Sequence, residues 1–321
     1  MSYIGTVRLP GNLVLSPMAG VTDAPFREIA RQMGVDYVIS EMITSQLHLW
    51  DSYKTKQRLD DRWSPPLKIL QIAGASPEII VDAAKKCEAI GADILEINMG
   101  CPAKKVCNVL AGSALLRDEM LVANILDSAV KAVSIPVILK TRLGWDNNTK
   151  NILNISKIAQ SSGIKSLTIH GRTRCDLYNG DATYDMIALV KQSLEIPVYA
   201  NGDINTPEKA KYVLDYTKAD GLYIGRASLG RPWIFRQIKN YLTSGSYTSL
   251  SIAEILLVII KHIDNIYLHY PEVLACRYAR KHLKYYLQNL FPDDFQVKFA
   301  KIADSGSKLE QLMLIEQILV G

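Results

Sequence analysis

The stretch Asp93-Ile-Leu-Glu-Ile-Asn-Met-Gly-Cys-Pro102 joins an apolar run to a turn that displays a single thiol. Gly100 permits a close approach of the backbone, and Pro102 prevents the chain from continuing a strand ladder. The stretch therefore predicts a strand whose carboxyl end places Cys101 where a side chain can meet a substrate. A lone cysteine in a reduced protein is more often a small buried hydrophobic residue, so the choice depends on the rest of the chain.

Eight apolar runs of this kind recur along the chain, and most are separated by amphipathic helical patterns. They cover residues 13–16, 37–40, 67–70, 93–97, 136–139, 166–169, 197–200 and 221–224. Short apolar strands that alternate with helices indicate a parallel sheet with helices outside. Eight repeats over this length predict an α/β fold of the (β/α)8 TIM-barrel type, in which active sites lie at the carboxyl ends of the strands.

The pattern changes after Arg231-Pro-Trp233. Gly245 and its Ser and Thr neighbours predict a linker, and four helices are predicted over residues 251–268, 272–290, 294–302 and 308–319. We predict a barrel catalytic domain over residues 1–243 and a small helical domain, a bundle, over residues 244–321.

Composition narrows the class of protein. The chain has 321 residues, 48% of them hydrophobic, and a formal charge of +5, which permits an anionic partner without requiring one. Five scattered cysteines without a CxxC pair argue against a zinc site or a disulfide framework. The amino terminus lacks a secretory pattern and the densest apolar run, 255–260, is too short to cross a bilayer, so we expect a cytoplasmic protein with no bound metal.

Polar residues follow the predicted strands. Asn201-Gly-Asp203 and Gly225-Arg226 come after the last two strands, where barrels frequently bind phosphate, although Asn-Gly-Asp is also an ordinary turn. Lys140 ends an apolar strand; it either extends to the barrel rim or lies beside the pyrimidine edge of a flavin. His170, near Arg172 and Arg174, either contacts a cofactor phosphate or caps its strand.

Several of these motifs together carry a resemblance to a known family. They are Leu15-Ser-Pro-Met-Ala-Gly-Val-Thr-Asp-Ala-Pro-Phe-Arg27, Asn98-Met-Gly-Cys-Pro-Ala-Lys-Lys-Val106, His170-Gly-Arg-Thr-Arg174, Asn201-Gly-Asp203, Ile224-Gly-Arg-Ala227 and Gly230-Arg-Pro-Trp-Ile-Phe235. The chain resembles the tRNA-dihydrouridine synthases, in detail their B-type bacterial branch, through the whole predicted barrel.

The resemblance implies an FMN flavoprotein that uses NADPH or NADH to reduce the C5=C6 bond of a specific uridine in tRNA to 5,6-dihydrouridine. It implies hydride transfer from FMN N5 to C6 and protonation of C5 by Cys101, with Asn98 against the uracil. The positions that correspond to flavin contacts are Pro17, Met18, Ala19, Gln71, Lys140, His170, Asn201, Gly202, Asp203, Gly225 and Arg226. A thiol with an ordinary pKa of ~8.5 stays mostly protonated at neutral pH, which suits a general acid.

Basic residues provide candidate RNA contacts. Arg277, Lys281 and Lys284 share one face of a predicted helix, with Arg280 adjacent. Such a face is often merely solvated, but its attachment to this barrel favours contact with RNA phosphates. The remaining predicted substrate contacts are Lys104, Lys105, Arg142, Arg174 and Tyr178, the last of which either stacks on a base or packs within its loop. We expect a monomer with tRNA and a nicotinamide coenzyme as partners.

Two residues depart from the family pattern. Glu96 stands where Asp or Asn is expected, and Leu143 stands where a smaller polar residue is common. We expect both to affect only local packing or substrate detail.

Two other functions compete with this prediction. A flavin barrel that dehydrogenates free pyrimidines needs the same bond chemistry but no basic helical domain. A tRNA-binding folding factor with a vestigial flavin needs the basic helix but no turnover. Reoxidation of a bound flavin by undermodified tRNA, tested against free uracil or orotate, separates the three.

Overall fold

A computed structural model of the chain describes residues 2–60, 62–63 and 65–321. Met1, the first residue of the predicted barrel domain, lies outside them. Two strands form an antiparallel hairpin and nine segments form one parallel sheet. In chain order the strands are β1 Ser2–Ile4, β2 Val7–Leu9, β3 Leu13–Leu15, β4 Tyr37–Val38, β5 Ile43–Thr44, β6 Ile69–Ala73, β7 Ile94–Met99, β8 Val137–Arg142, β9 Leu167–His170, β10 Val198–Asn201 and β11 Gly221–Ile224.

The parallel sheet closes into a barrel. Its strand order is β4-β3-β11-β10-β9-β8-β7-β6-β5, so its two ends are β4 and β5, which follow each other in the chain. The Ser40 amide between them donates to the Ile69 carbonyl at 3.0 Å, which ties this segment to β6. β4 and β5 are therefore the two halves of one interrupted strand, and the predicted eight-stranded barrel is confirmed.

Strand boundaries differ from the prediction where polar residues enter the strands. The third barrel strand continues past Gln71 to Ala73, and the fifth continues past Lys140 to Arg142. Apolar patterning predicted an earlier end because a buried polar group is unfavourable unless it is paired. Here the polar side chains find partners across the barrel interior.

The helices pack outside the barrel and beyond it. In chain order they are α1 Ala24–Gln32, α2 Tyr53–Leu59, α3 Pro77–Ala89, α4 Lys104–Cys107, α5 Glu119–Ala132, α6 Ile152–Ser161, α7 Asp185–Ser193, α8 Pro207–Thr217, α9 Ile234–Ser244, α10 Ile252–His269, α11 Glu272–Leu290, α12 Phe295–Ala303 and α13 Lys308–Val320. Short 3-10 helices cover Leu47–Leu49, Gly112–Arg117 and Arg226–Ser228. Asp23 caps α1 by accepting from the Phe26 amide at 3.1 Å, as its position before Pro25 predicts.

Separate apolar clusters stabilise the barrel and the helices that follow it. The large cluster joins the strands to the surrounding helices and includes Cys87, which is buried as its helical spacing predicts. The β1–β2 hairpin, which the sequence analysis missed, covers the amino-terminal end of the barrel with Ile4 and Leu9. A further cluster joins α10–α13 to Ile29 and Trp233. Among the described residues, no helix combines the length and apolarity needed to cross a membrane.

Gly230 lies where the helical region meets the barrel. Its φ is +64°, and a Cβ built there would approach the Tyr285 carbonyl oxygen at 2.1 Å. We expect Gly230→Ala to lower the free energy of unfolding by at least about 2 kcal/mol, because strain and a backbone clash add. Gly245→Ala is the matched control: its φ is +76° with open space around the Cβ, so strain alone should cost about 1 kcal/mol. Equal losses in urea unfolding would contradict this.

Candidate active site at the carboxyl ends of the strands

A cavity of about 1180 Å³ opens at the carboxyl ends of the barrel strands. This exceeds the roughly 300–1,000 Å³ of ordinary small-molecule sites and leaves room for a cofactor and a second reactant. Every residue predicted to contact a cofactor lines it: Pro17, Met18, Ala19, Gln71, Lys140, His170, Asn201, Gly202, Asp203, Gly225 and Arg226. So do the predicted catalytic residue Cys101 and the predicted substrate contacts Asn98, Lys104, Arg142, Arg174 and Tyr178. Lys105 and the α11 cations lie outside the lining.

A chain of hydrogen-bonded side chains crosses the floor of the cavity. Gln71 Nε2 donates to Glu96 Oε1 at 2.5 Å, and Tyr223 Oη donates to Glu96 Oε2 at 3.1 Å. Asn98 Nδ2 donates to Gln71 Oε1 at 2.9 Å. These bonds fix the orientation of the Gln71 and Asn98 amides, which face the cavity from neighbouring strands.

Glu96 and Lys140 are the charged groups of this floor. Burial raises the pKa of Glu96 to about 7, against the attraction of Lys140 and the bonds from Gln71 and Tyr223. Burial lowers the pKa of Lys140 to about 8, and Glu96 opposes that shift. Lys140 Nζ, on β8, also donates to Asn201 Oδ1 at 3.1 Å, on β10, with β9 between the two strands. The ammonium is thus buried below the rim and keeps donors free for a ligand.

The Cys101 turn is held by the strand that precedes it. Asn98 Oδ1 accepts from the Gly100 and Cys101 amides, each at 2.9 Å, so a side-chain turn positions the thiol. Ser113 Oγ donates to the Cys101 carbonyl at 2.8 Å from the following 3-10 helix. The cysteine is half-buried, and burial raises the pKa of its thiol. Cys101 therefore enters the cavity as a protonated thiol.

Arg142 is buried beside this turn. Its guanidinium donates to the Gly100 carbonyl at 2.8 Å, to the Thr173 carbonyl at 2.8 Å and to the Leu177 carbonyl at 2.9 Å. These bonds join the Cys101 turn to the loop that carries Tyr178. A substrate contact of Arg142 stays a prediction, and the structure adds a bracing function.

The opposite side of the cavity gathers cations. Asp203 accepts from Arg172 at 3.0 and 2.5 Å and from Arg226 at 2.7 Å. Burial pushes the pKa of Asp203 up, but the bonds from Arg172 and the Ala182 amide outweigh burial and leave it below its usual value. Asp203 therefore orients the two arginines. Burial and the surrounding cations hold the pKa of His170 well below its usual value, so the imidazole is neutral.

Glycine is required in the backbone at this end. Gly202 has a φ of +119°, and a Cβ there would lie 2.8 Å from the Ala182 Cβ and 2.9 Å from His170 Cδ2. The backbone therefore passes close to the imidazole of His170.

The predicted RNA contacts fall into separate groups. Lys104 and Lys105 are exposed on α4 beside the Cys101 turn. Tyr178 is 52% exposed at the mouth, and its ring lies 5.5 Å from the Arg142 guanidinium and 4.8 Å from that of Arg226. Arg174 packs 4.7 Å from the Trp145 ring.

The basic face predicted on α11 is split. Arg277 and Lys284 are exposed. Arg280 donates to the Ala303 carbonyl at 2.6 Å, and Lys281 donates to the Gly20 carbonyl. Two of the four cations therefore bond within the protein.

Glu96, expected to affect only local packing or substrate detail, does not line the cavity but accepts a hydrogen bond from Gln71, which does. Leu143, the other departure, is buried in the barrel core. Arg172 and Tyr223, for which the sequence predicts no role, also line the cavity. A charge inside an apolar strand, the signal that singled out Lys140, was equally present at Glu96.

The mouth of the barrel carries a protonated thiol on one side and a cationic pocket, formed by Arg172 and Arg226, on the other. This is the end of the barrel at which the enzymes of this fold have their active sites. The dihydrouridine synthase family model matches residues 14–319. The chain is 49% identical over 307 residues to tRNA-dihydrouridine synthase B of Pseudomonas syringae pv. tomato, covering 95% of this chain and 91% of that protein. It is 48% identical to tRNA-dihydrouridine synthase B of Vibrio vulnificus, covering 96% and 97%. The chain belongs to the dihydrouridine synthase family.

Solved structures of lower identity share the fold. Histamine dehydrogenase from Rhizobium sp. 4-9 superposes with a TM-score of 0.60 at 12% identity, covering 82% of this chain and 50% of that one. The 6-hydroxypseudooxynicotine amine oxidase of Pseudomonas geniculata gives a TM-score of 0.57 at 13% identity, covering 80% and 52%. The chain therefore spans about half the length of these structures.

The Glu96 carboxyl should make stability depend on pH. Its pKa of about 7 in the folded protein exceeds the ordinary value, so the stability it confers is complete below about pH 4 and is lost as pH rises through 7. We expect the unfolding free energy of the wild type, relative to Glu96→Gln, to fall by roughly 3 kcal/mol between pH 4 and pH 8. Urea unfolding of the flavin-free protein at both pH values measures this; a constant difference would contradict it.

Proposed function

We propose that this protein reduces the C5=C6 bond of a particular uridine in tRNA to 5,6-dihydrouridine. The observation that carries the proposal is the placement of the Cys101 thiol and the Asn98 amide in one cavity with Lys140 and the cationic pocket. Family membership and the name shared by the B-type relatives support the same reaction.

The cavity fits a flavin mononucleotide. Pro17, Met18 and Ala19 offer an apolar wall, and Gln71 with Lys140 offers donors for the polar edge of the ring. At the far side, Arg172 and Arg226 share a single carboxylate, which leaves an excess of positive charge for a phosphate. Gly202 and Gly225 allow that phosphate to approach the backbone. We assign these residues, with His170, Asn201 and Asp203, to FMN binding.

A reduced flavin held by these residues would supply a hydride to C6 of the uracil. Cys101 then donates its proton to C5, and its raised pKa keeps that proton available at neutral pH. Asn98, oriented by Gln71, binds the uracil, and Arg142 keeps the Cys101 turn in place. The Lys140 ammonium stabilises negative charge at the polar edge of the flavin. NADPH or NADH acts as the reductant.

The RNA must deliver a uridine that is out of its stack, which costs a few kcal/mol. Contacts with phosphates offset this cost without reading sequence. We assign those contacts to Lys104, Lys105, Arg174, Arg277 and Lys284, with Tyr178 available to stack on a base at the mouth. The two remaining cations of α11, Arg280 and Lys281, shape the surface that carries them. The protein acts as a cytoplasmic monomer.

Replacing the proton donor tests the mechanism. We expect Cys101→Ser to retain the flavin and its reduction by NADPH, while dihydrouridine formation in undermodified tRNA falls by about 10²-fold or more. Stopped-flow absorbance of the flavin separates the two half-reactions. Cys175→Ser, at an exposed cysteine, is the control and should turn over like the wild type. Normal turnover by Cys101→Ser would show that the thiol is not the proton donor. Turnover of free uracil by the wild type would instead favour the alternative function, a pyrimidine dehydrogenase.

The RNA contacts predict a change in salt dependence. Removing two cations, as Lys104→Ala with Lys105→Ala or as Arg277→Ala with Lys284→Ala, should reduce the slope of log binding constant against log salt by about one unit per lost phosphate contact. Binding of undermodified tRNA at several salt concentrations measures the slope. Arg8→Ala, an exposed cation in β2 at the other end of the barrel, should leave the slope unchanged. A slope equal to the wild type in a double variant would assign that pair to solvent.

A further inference from the structure

Helix α11 lies against two of the loops that form the cavity. Lys281 donates to the carbonyl of Gly20, which follows the lining residue Ala19. Eight residues further along the same helix, Asn289 Nδ2 donates at 2.6 Å to the carbonyl of Leu229, another lining residue. The two loops follow β3 and β11, which are paired in the barrel. One helix therefore holds both loops at this seam.

The contact at Gly20 is made from both sides. Glu41 accepts from the Gly20 amide and, at 3.2 Å, from the Val21 amide, while Lys281 binds the Gly20 carbonyl. Both polar groups of Gly20 are thus fixed by side chains of opposite charge, one from the barrel and one from α11. The conformation of the loop depends on both.

Lys281 is turned into the protein. Its ammonium lies 4.5 Å from the centre of the Tyr278 ring. Burial lowers the pKa of Lys281, and the carboxylates of Asp23 and Glu41 oppose that shift. The side chain is half-buried, whereas Lys284, one turn further on, is exposed. Neighbouring lysines of one helix therefore face different surroundings.

The contact at the second loop is made by the backbone. A Cβ at Gly230 would lie 2.1 Å from the Tyr285 carbonyl oxygen, so α11 packs against this loop with no side chain between them. The loop cannot shift toward α11, and Asn289 prevents it from moving away. The helix and the loop are in direct contact.

We propose that α11 is a structural part of the cofactor site and that Lys281 is a positioning residue for the flavin. It holds the loop of residues 17–20, which carries the apolar wall Pro17, Met18 and Ala19, in the conformation that receives the flavin ring. This inference rests on the proposed flavin binding. A loop that is fixed before binding loses less entropy when the ligand arrives, so this contact should tighten flavin binding. The helical region thereby gains a second function, and its exposed cations remain available to RNA.

The test compares adjacent lysines in the full-length protein. Lys281→Met removes the ammonium and keeps an unbranched side chain, whereas Lys284→Met is the matched control on the exposed face. FMN is titrated into each flavin-free variant by fluorescence quenching, and tRNA binding is measured over a range of salt. We expect Lys281→Met to weaken FMN binding by about tenfold with an unchanged salt slope, and Lys284→Met to reduce the slope with unchanged FMN affinity.

A conservative variant separates positioning from simple loss of structure. Lys281→Arg keeps the charge and the donor, so it should recover most of the FMN affinity. Thermal unfolding of each flavin-free variant identifies any that has failed to fold. Asn289→Leu, which removes the 2.6 Å bond from α11 to the Leu229 carbonyl, then serves as the second test and should also weaken FMN binding. Wild-type FMN affinity in Lys281→Met, or a salt slope reduced as in Lys284→Met, would overturn the proposal. Absence of FMN binding by the wild type would instead overturn the proposed function.

Discussion

The burial of Glu96 and Lys140 inside the barrel is the constraint on which the site depends. Ionised groups are stable in such a place only when other groups compensate them. Gln71 and Tyr223 bind the carboxylate, and Asn201 binds the ammonium. The same bonds fix the side chains that face the cavity. The need to pair these buried charges thus preorganises the polar side chains of the cavity floor.

Opposite sides of the cavity are adapted to different chemistry. On the Cys101 side, burial keeps a thiol protonated, and Asn98 and Arg142 hold its backbone turn. On the other side, Arg172 and Arg226 share Asp203, so positive charge remains in excess. Lys140 lies between these two sides. Burial lowers the pKa of its ammonium to about 8, so its protonation responds to changes in its surroundings near neutral pH. A protonated thiol, a buried ammonium and a pair of arginines therefore line one opening.

The helical region also contributes to the cavity at the strand ends. Its α11 provides exposed cations on one side and bonds to the cavity loops at Gly20 and Leu229 on the other. Interfaces that bind a loop on both sides restrict its motion and lower the entropic cost of ligand binding. The arrangement explains why the cations of this helix differ in exposure although their spacing places them on one face.

Sequence alone determined the barrel, because eight apolar runs that alternate with helices have few other ways to bury their surfaces. It also determined the motifs at the strand ends, and these line one cavity. Only the tertiary structure decided what the polar residues do there. The interruption between β4 and β5, the bonds of Glu96 to Gln71 and Tyr223, and the inward turn of Lys281 all join residues far apart in the chain. Apolar periodicity records which face of an element is buried, whereas the partner of a buried charge is chosen by packing between elements.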